Sequence, residues 1–414
     1  MHLQEKLNIA FWIWAPFDTG EGFAYHDFVK ELTEARERGF NCVRVEDGAG
    51  FFRTPEGEKR GDSTLHPVFG KYTKYIRQNL VLEPTDYNPK ERLLALFRAA
   101  ESCDMYVILS SWYYLHTNWY MGDDRNDPLF ALPTEEKLAY FARELNEILS
   151  ILRENGLIRR VAFAELFNEF DGIPFLCGER GDAENETYIR TLHEKTIDWL
   201  RERNPDVRFG YDMCTDWYAI IPRNVDVINR HNYYMWDLYR CFEEGKVLSD
   251  VTEMTLSDAQ KQYLIDPPVT VAEVNEARRQ NLRTGRDWSR RVALYASLDR
   301  AKLPALEKLL KKELEARQEE FLDILRRSMT ELRDYRDKYL PEADMVMGEG
   351  VTYCASNDLL FEEHSDLYWE VVEKGLAILR ELGFMGAVVR TTSGPEDPSW
   401  YTLPERYVHA NAIL

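Results

Sequence analysis

Eight short apolar runs recur along the chain, separated for the most part by segments whose apolar residues repeat at helical spacing. The runs are "LNIAFWIWAPF" (7–17), "NCVRVE" (41–46), "MYVILSSWYY" (105–114), the stretch ending at Phe167, "VRFGYDMC" (207–214), "VDVINRHNYY" (225–234), "ADMVMGEGVTY" (343–353) and "FMGAVVRTT" (384–392). Helical periodicity covers 26–39, 89–103, 134–155, 185–205 and 366–383, with Thr134 placed to cap the third of these. Continuous apolar strands that alternate with amphipathic helices belong to a parallel sheet covered on both faces. Eight of them predict an α/β chain folded as a (β/α)8 TIM barrel. The competing doubly wound sheet lacks its glycine-rich turn, since "GAG" at Gly48 is only a fragment of GxGxxG.

The expected organisation is one catalytic barrel over 1–414, interrupted by a helical insertion at 236–340. There about a hundred residues stand where a barrel needs one helix. The insertion is charge-dense, with apolar residues at helical spacing, and reads as a solvated face, a cap over the barrel mouth or a surface for a homo-oligomer.

Charge and cysteine usage exclude several functions. A net charge of -20 disfavours nucleic acid and anionic membranes as partners. The six cysteines, at 42, 103, 177, 214, 241 and 354, form no CxxC pair and read as reduced thiols rather than a disulfide or zinc framework. The start "MHLQEKLNIAFWIW" has no basic n-region or cleavage site, and no run approaches the ~18 apolar residues of a membrane span. A cytoplasmic location is the expectation.

Chemistry is concentrated where the strands end. In "FAELFNEFDG" (163–172) a buried strand terminates in Asn168 and Glu169, and a carboxylate there is costly to desolvate without a purpose. Functional groups of such a barrel sit at these C-terminal ends. Reading them in order gives Trp14, Arg44 to Asp47, Ser111 to Tyr114, Asn168 and Glu169, Asp212 to Trp217, His231 to Tyr234, Glu349 and Arg390. Glutamates on the fourth and seventh strands face each other across the mouth, which is the apparatus of glycoside hydrolysis. Trp14, Trp112, Trp217 and Trp400, with Tyr233, Tyr234 and Trp236, offer flat rings with polar edges suited to pyranose faces.

"FAELFNEF" resembles the fourth-strand motif of clan A glycoside hydrolases, nearest the cellulase-like family 5. "GFNCVRV", "HNYY" and "VMGEG" resemble the second-, sixth- and seventh-strand motifs. The resemblance implies Glu169 as acid/base and Asn168 as partner of the sugar 2-hydroxyl. It implies Glu349 as nucleophile, Arg44 paired with it, and His231 and Tyr233 lining the site. It calls for no metal and no organic cofactor. The chain departs from the pattern at Phe170, where proline is usual, and at "SSWYY", where a histidine is usual and His116 follows. It departs again at "VVRTTSGPEDPSWY", where Trp400 would return as a sugar platform.

The expected activity is therefore retaining hydrolysis of β-linked glycosides or oligosaccharides by two glutamates. The alternatives are a carbohydrate-binding protein on a degenerate barrel, and a metal-dependent barrel hydrolase, for which only His231 qualifies as a strand-end ligand. Glu165 reads as a structural carboxylate held by a barrel arginine, and Asp212 and Asp216 as loop hydrogen-bonding groups.

Overall fold

In the computed structural model all eight expected strands form and close on one another. The structure describes residues 3, 5–13, 15–17, 20, 22–53, 58–59, 61–77, 81–112, 129, 131–239, 261–277, 289–352 and 356–414. The strands are β1 (Leu7–Phe11), β2 (Cys42–Glu46), β3 (Tyr106–Ser110), β4 (Val161–Glu165), β5 (Phe209–Met213), β6 (Val227–Arg230), β7 (Asp344–Met347) and β8 (Gly386–Val388). Each pairs in parallel with its neighbours, and β8 pairs with β1 to complete a closed barrel. Every residue of β2, β5, β6 and β7 is buried, as expected of strands with side chains inside the barrel on one face and helices on the other.

The principal helices are α1 (Phe28–Glu37), α2 (Pro89–Ser102), α3 (Thr134–Glu154), α4 (Ala183–Arg203), α5 (Ser289–Ala296), α6 (Leu303–Tyr339), α7 (Asp366–Glu381) and α8 (Pro404–Asn411). Side chains of Asp27, Asn88, Asp182 and Ser365 accept from backbone N–H groups at the starts of α1, α2, α4 and α7, satisfying donors that a helix leaves open. The expected cap at Thr134 does not occur. Pro133 takes the cap position and Thr134 becomes the first helical residue, so its hydroxyl makes no capping bond.

Strands end sooner than the apolar runs that announced them. β1 stops at Phe11 and β8 spans only three residues, and just past them Trp12 and Arg390 bond to the loop after β8. A short hairpin, Ser63–Leu65 against Thr85–Tyr87, lies in the excursion between β2 and α2.

Between β6 and β7 the chain contains a 3-10 turn at Trp236–Tyr239, a short helix at Val271–Ala277, α5 and α6. α6 buries Leu306, Leu310, Leu314, Phe321, Leu322, Leu325, Met329 and Leu332 along one stripe and packs on α7. It thus serves as the barrel helix before β7, extended far beyond the usual three or four turns. No described helix is long and apolar enough to cross a membrane.

Candidate active site

Arg44 organises the floor of the barrel mouth. It points inward from β2, is wholly buried, and has its guanidinium 4.4 Å from the centroid of the Trp112 ring. Nη1 donates to Glu349 Oε1 at 2.8 Å, and Nη2 donates to Glu165 Oε2 at 3.1 Å, Asn168 Oδ1 at 3.0 Å and Ser110 Oγ at 3.2 Å. Nη2 also bonds Asp212 Oδ2. One guanidinium therefore touches the ends of four other strands or the residues just past them. A buried cation needs such compensation.

Glu169 follows β4 on a left-handed backbone, φ 50° and ψ 47°, a conformation that costs a non-glycine residue energy. Two anchors impose it. Asn168 N–H donates to the Ser111 carbonyl at 2.9 Å, and Glu169 N–H donates to Asp212 Oδ1 at 3.0 Å. Phe170, standing where the resembled motif has proline, explains its own presence. Its ring is fully buried against Phe167, His193 and Tyr211, filling the space behind the turn. Asp171 then accepts from the N–H groups of Cys214 and Thr215, both at 2.8 Å, locking this turn to the one after β5.

Glu349 follows β7 between two glycines, and neighbouring backbone and amide groups explain both. A Cβ on Gly348 would lie 2.5 Å from the Asn229 amide, and one on Gly350 would lie 2.5 Å from the Asn232 carbonyl oxygen. These close approaches extend the β6–β7 pairing past the strands. Asn232 N–H donates to the Glu349 carbonyl at 3.1 Å, and Val351 N–H to the Asn232 carbonyl at 3.0 Å. That pairing sets Tyr233 beside Glu349, with its hydroxyl donating to Oε2 at 2.5 Å.

His231 stands between the two glutamates. Nδ1 is 3.1 Å from Glu169 Oε1 and 3.6 Å from Glu349 Oε2, while Nε2 is 3.0 Å from Asp212 Oδ2. One acidic oxygen each from Glu169 and Glu349 and one ring nitrogen of His231 lie within 4.8 Å of one another. Burial lowers the affinity of the imidazole for a proton, but Asp212 and Glu349 outweigh it and the group is pushed up to about 10. The carboxylates around it thus favour the protonated imidazole, a proton donor, near neutrality. Glu165 is pushed up to about 7 by burial and by Asp212, against the pull of Arg44.

Arg44, Asn168, Glu169, His231, Tyr233 and Glu349 thus converge as the sequence led us to expect. The tryptophans divide. Trp112 is buried beneath Arg44, with its backbone N–H on Glu46 Oε2 at 2.7 Å, so it supports the arginine. Trp217 and Trp400 require correction. Trp217 is buried with its indole N–H on Glu186 of α4 at 2.7 Å. Trp400 is 0 % exposed, stacked on Phe40 and beneath Arg38, with its indole N–H on Glu34 at 2.9 Å. Neither presents a face to a ligand. Trp14, Tyr113, Tyr114, His116 and Trp119 lie outside the described residues. Arg390, at the end of β8, is enclosed by Asp397, Ser399, Glu362 and Glu363 and braces the loops rather than facing the mouth.

Sequence reasoning undervalued three residues. Asp212 and Asn229 are polar side chains inside the barrel that follow apolar residues on their strands, the same incongruity that marked Glu169. Asn229 donates to Glu165 at 2.8 Å and accepts from Gly348 N–H at 2.7 Å. Trp236 is 36 % exposed, and its ring centroid is 5.6 Å from that of Tyr233 in an edge-to-face contact. Arg291 of α5 lies over the same indole at 5.6 Å, so the segment between β6 and β7 reaches the neighbourhood of the site.

No family profile matches the chain, and no curated protein does. Among solved structures, a Parabacteroides distasonis protein provisionally described as a glycoside hydrolase superimposes with a TM-score of 0.67 at 14% identity, over 99% of this chain and 93% of that one. A family 5, subfamily 4 broad-specificity endoglucanase from Clostridium acetobutylicum gives 0.47 at 13% identity, over 99% of both chains. A family 5 glycoside hydrolase from Prevotella bryantii gives 0.46 at 11% identity, over 99% of this chain and 96% of that one. At 14% identity the likeness to the first is one of fold.

Proposed function

We propose that the chain is a retaining β-glycoside hydrolase in which Glu349 is the nucleophile and Glu169 the acid/base. The observation that carries this reading is the separation of the two carboxylates, whose nearer oxygens are within 4.8 Å. A retaining pair stands about 5–5.5 Å apart and an inverting pair about 6.5–9.5 Å, the larger gap being needed to admit water between acid and sugar. Oxygens that approach within 4.8 Å agree with the shorter spacing, at which one carboxylate attacks directly.

The partners assign the roles. Glu349 takes hydrogen bonds from Arg44 and Tyr233, which fix the carboxylate that attacks the anomeric carbon. The Glu169 side chain meets His231 Nδ1 at 3.1 Å, a proton donor that can follow its change of charge. In the first step Glu169 gives its proton to the departing oxygen while Glu349 forms an ester to the sugar. In the second, Glu169 takes a proton from water as that water displaces Glu349. Trp236, exposed beside Tyr233, suits the apolar face of a neighbouring sugar ring, and short β-linked oligosaccharides are the substrate class that matches.

The test uses 2,4-dinitrophenyl 2-deoxy-2-fluoro-β-glycosides of glucose, mannose, galactose and xylose, which form the ester faster than it breaks down. A mass increment of one fluoroglycosyl group on Glu349, located by peptide mapping, is the expected result. With Glu169→Gln, kcat/KM for aryl glycosides, which reports formation of the ester, should fall by about 10²–10⁴ for poor leaving groups and far less for good ones, which need no acid. Label on another residue overturns the assignment. Sugar binding without label or turnover across the panel would make the chain a binding protein instead.

A further inference from the structure

Four carboxylates and two cations share the buried floor of the mouth, and of the two carboxylates that reach both cations, Asp212 and Glu349, Asp212 lies the nearer to His231. Asp212, 1 % exposed at the end of β5, bonds Arg44 through Oδ2, and the same oxygen lies 3.0 Å from His231 Nε2 and 3.3 Å from the Asn229 amide. Its other oxygen accepts the Glu169 N–H at 3.0 Å. Glu165, by contrast, touches Arg44 and Asn229, and Glu349 reaches Arg44, Tyr233 and, at 3.6 Å, His231.

We propose that Asp212 is a positioning residue whose carboxylate holds Arg44 and His231, and through them both glutamates, in one arrangement throughout the reaction. The inference rests on the roles given above to Glu169 and Glu349, and the charge changes of that cycle are what make Asp212 necessary. When Glu349 becomes an ester its negative charge disappears, and two buried cations lose a counter-ion at the same moment. A buried charge left uncompensated is costly, and the side chain bearing it moves or discharges. Asp212 takes no part in bond formation, so its charge remains while that of Glu349 comes and goes. It also anchors the strained backbone of Glu169 directly. Arg44 and His231 can then stay fixed while the acid becomes the base.

Asp212→Asn separates the charge from the anchor, because an amide oxygen still accepts the Glu169 N–H. Asp212→Ala removes both. The groups facing His231 are Asp212 from β5, Glu169 after β4 and Glu349 after β7, and the last two are unchanged in either variant. The primary readout is the protonation of His231, followed by NMR of imidazole-labelled protein and assigned by its loss in His231→Gln. In the wild type His231 should stay protonated well above neutrality. In Asp212→Asn it should release its proton at least about one pH unit lower. Identical titration in both proteins overturns the proposal, whatever the enzyme does to glycosides.

The second readout is kinetic. On a glycoside that the wild type turns over, Asp212→Asn should lower kcat at least about tenfold with a smaller change in KM, because ground-state sugar contacts are untouched. Equal loss in kcat and folding stability, with His231 unmoved, would mark Asp212 as structural only. If the wild type itself forms no ester on Glu349, the proposed activity falls, and the titration still decides whether Asp212 governs His231.

Discussion

The hydroxyl of Tyr233 points at Glu349, Oη to Oε2 at 2.5 Å, from a turn that immediately follows β6. A phenol donating to this carboxylate fixes the direction in which its oxygens face the anomeric carbon in the proposed reaction. Tyr233→Phe removes that bond and little volume. A hydrogen bond to a charged group is worth roughly 1.5–3 kcal/mol, so turnover should fall about 10- to 100-fold. Initial rates on an aryl glycoside check this, and an unchanged rate would deny the tyrosine this role.

Gly350 allows two chain segments to touch, and that contact is what aims Tyr233. Gly350→Ala would set a methyl 2.5 Å from the backbone oxygen of Asn232, which has no rotamer by which to withdraw. The strands must part. We expect a loss of stability of about 1–3 kcal/mol in denaturant melts, and a fall in kcat beyond that of Tyr233→Phe, since Glu349 and Tyr233 separate together. Gly61→Ala, at a glycine where an added Cβ meets nothing within 4 Å, is the matched control and should leave both measurements unchanged.

Stability should fall toward both ends of the pH scale, for different groups. His193 is buried between Phe170 and Tyr211, neither ring nitrogen has a hydrogen-bond partner among the described residues, and burial pushes it down to about 3. Its folded value is below its unfolded one. The contribution is therefore present above about 6.5 and lost as pH falls toward 3. Glu144 and Glu165 are shifted the other way, by burial first, to about 8 and about 7. Their contribution is present below about 4.5 and lost as pH rises through those values. Melting temperature against pH should show a maximum between these limbs. His193→Phe should flatten the acid limb and Glu144→Gln the alkaline one, and a limb that keeps its slope in its variant belongs to another group.

Much of the architecture could be read from the chain before any coordinates, and the reason is local. Each strand carries its own apolar run and each catalytic candidate interrupts one, so Glu169, Glu349, Arg44 and His231 announce themselves within a few residues. The tryptophans do not. Whether an indole faces a ligand or the core depends on residues far away, and Trp400 is covered by Arg38, which no local pattern reveals. Thr134 failed as a cap for a subtler reason, since one position decides whether a hydroxyl lies before a helix or inside it. Asp212 was visible but misjudged. A lone acid on a strand gives no hint that two cations from other strands converge on it.

The seam between β6 and β7 joins strands that are neighbours in space yet separated by residues 231–343 in the chain. The entropy of closing such an excursion grows only with the logarithm of its length, about 0.6 kcal/mol for each doubling. Lengthening here is thus thermodynamically cheap, whereas a single added methyl at Gly350 is not. His231 and Tyr233 leave the barrel on one side of this excursion, and Glu349 lies just beyond its return. The protein can therefore lengthen or shorten what it presents at its rim, and so change which molecules reach the floor, while His231, Tyr233 and Glu349 stay where the strands put them. Descent with modification has an inexpensive place to act on selectivity here, set directly against one where it can hardly act at all.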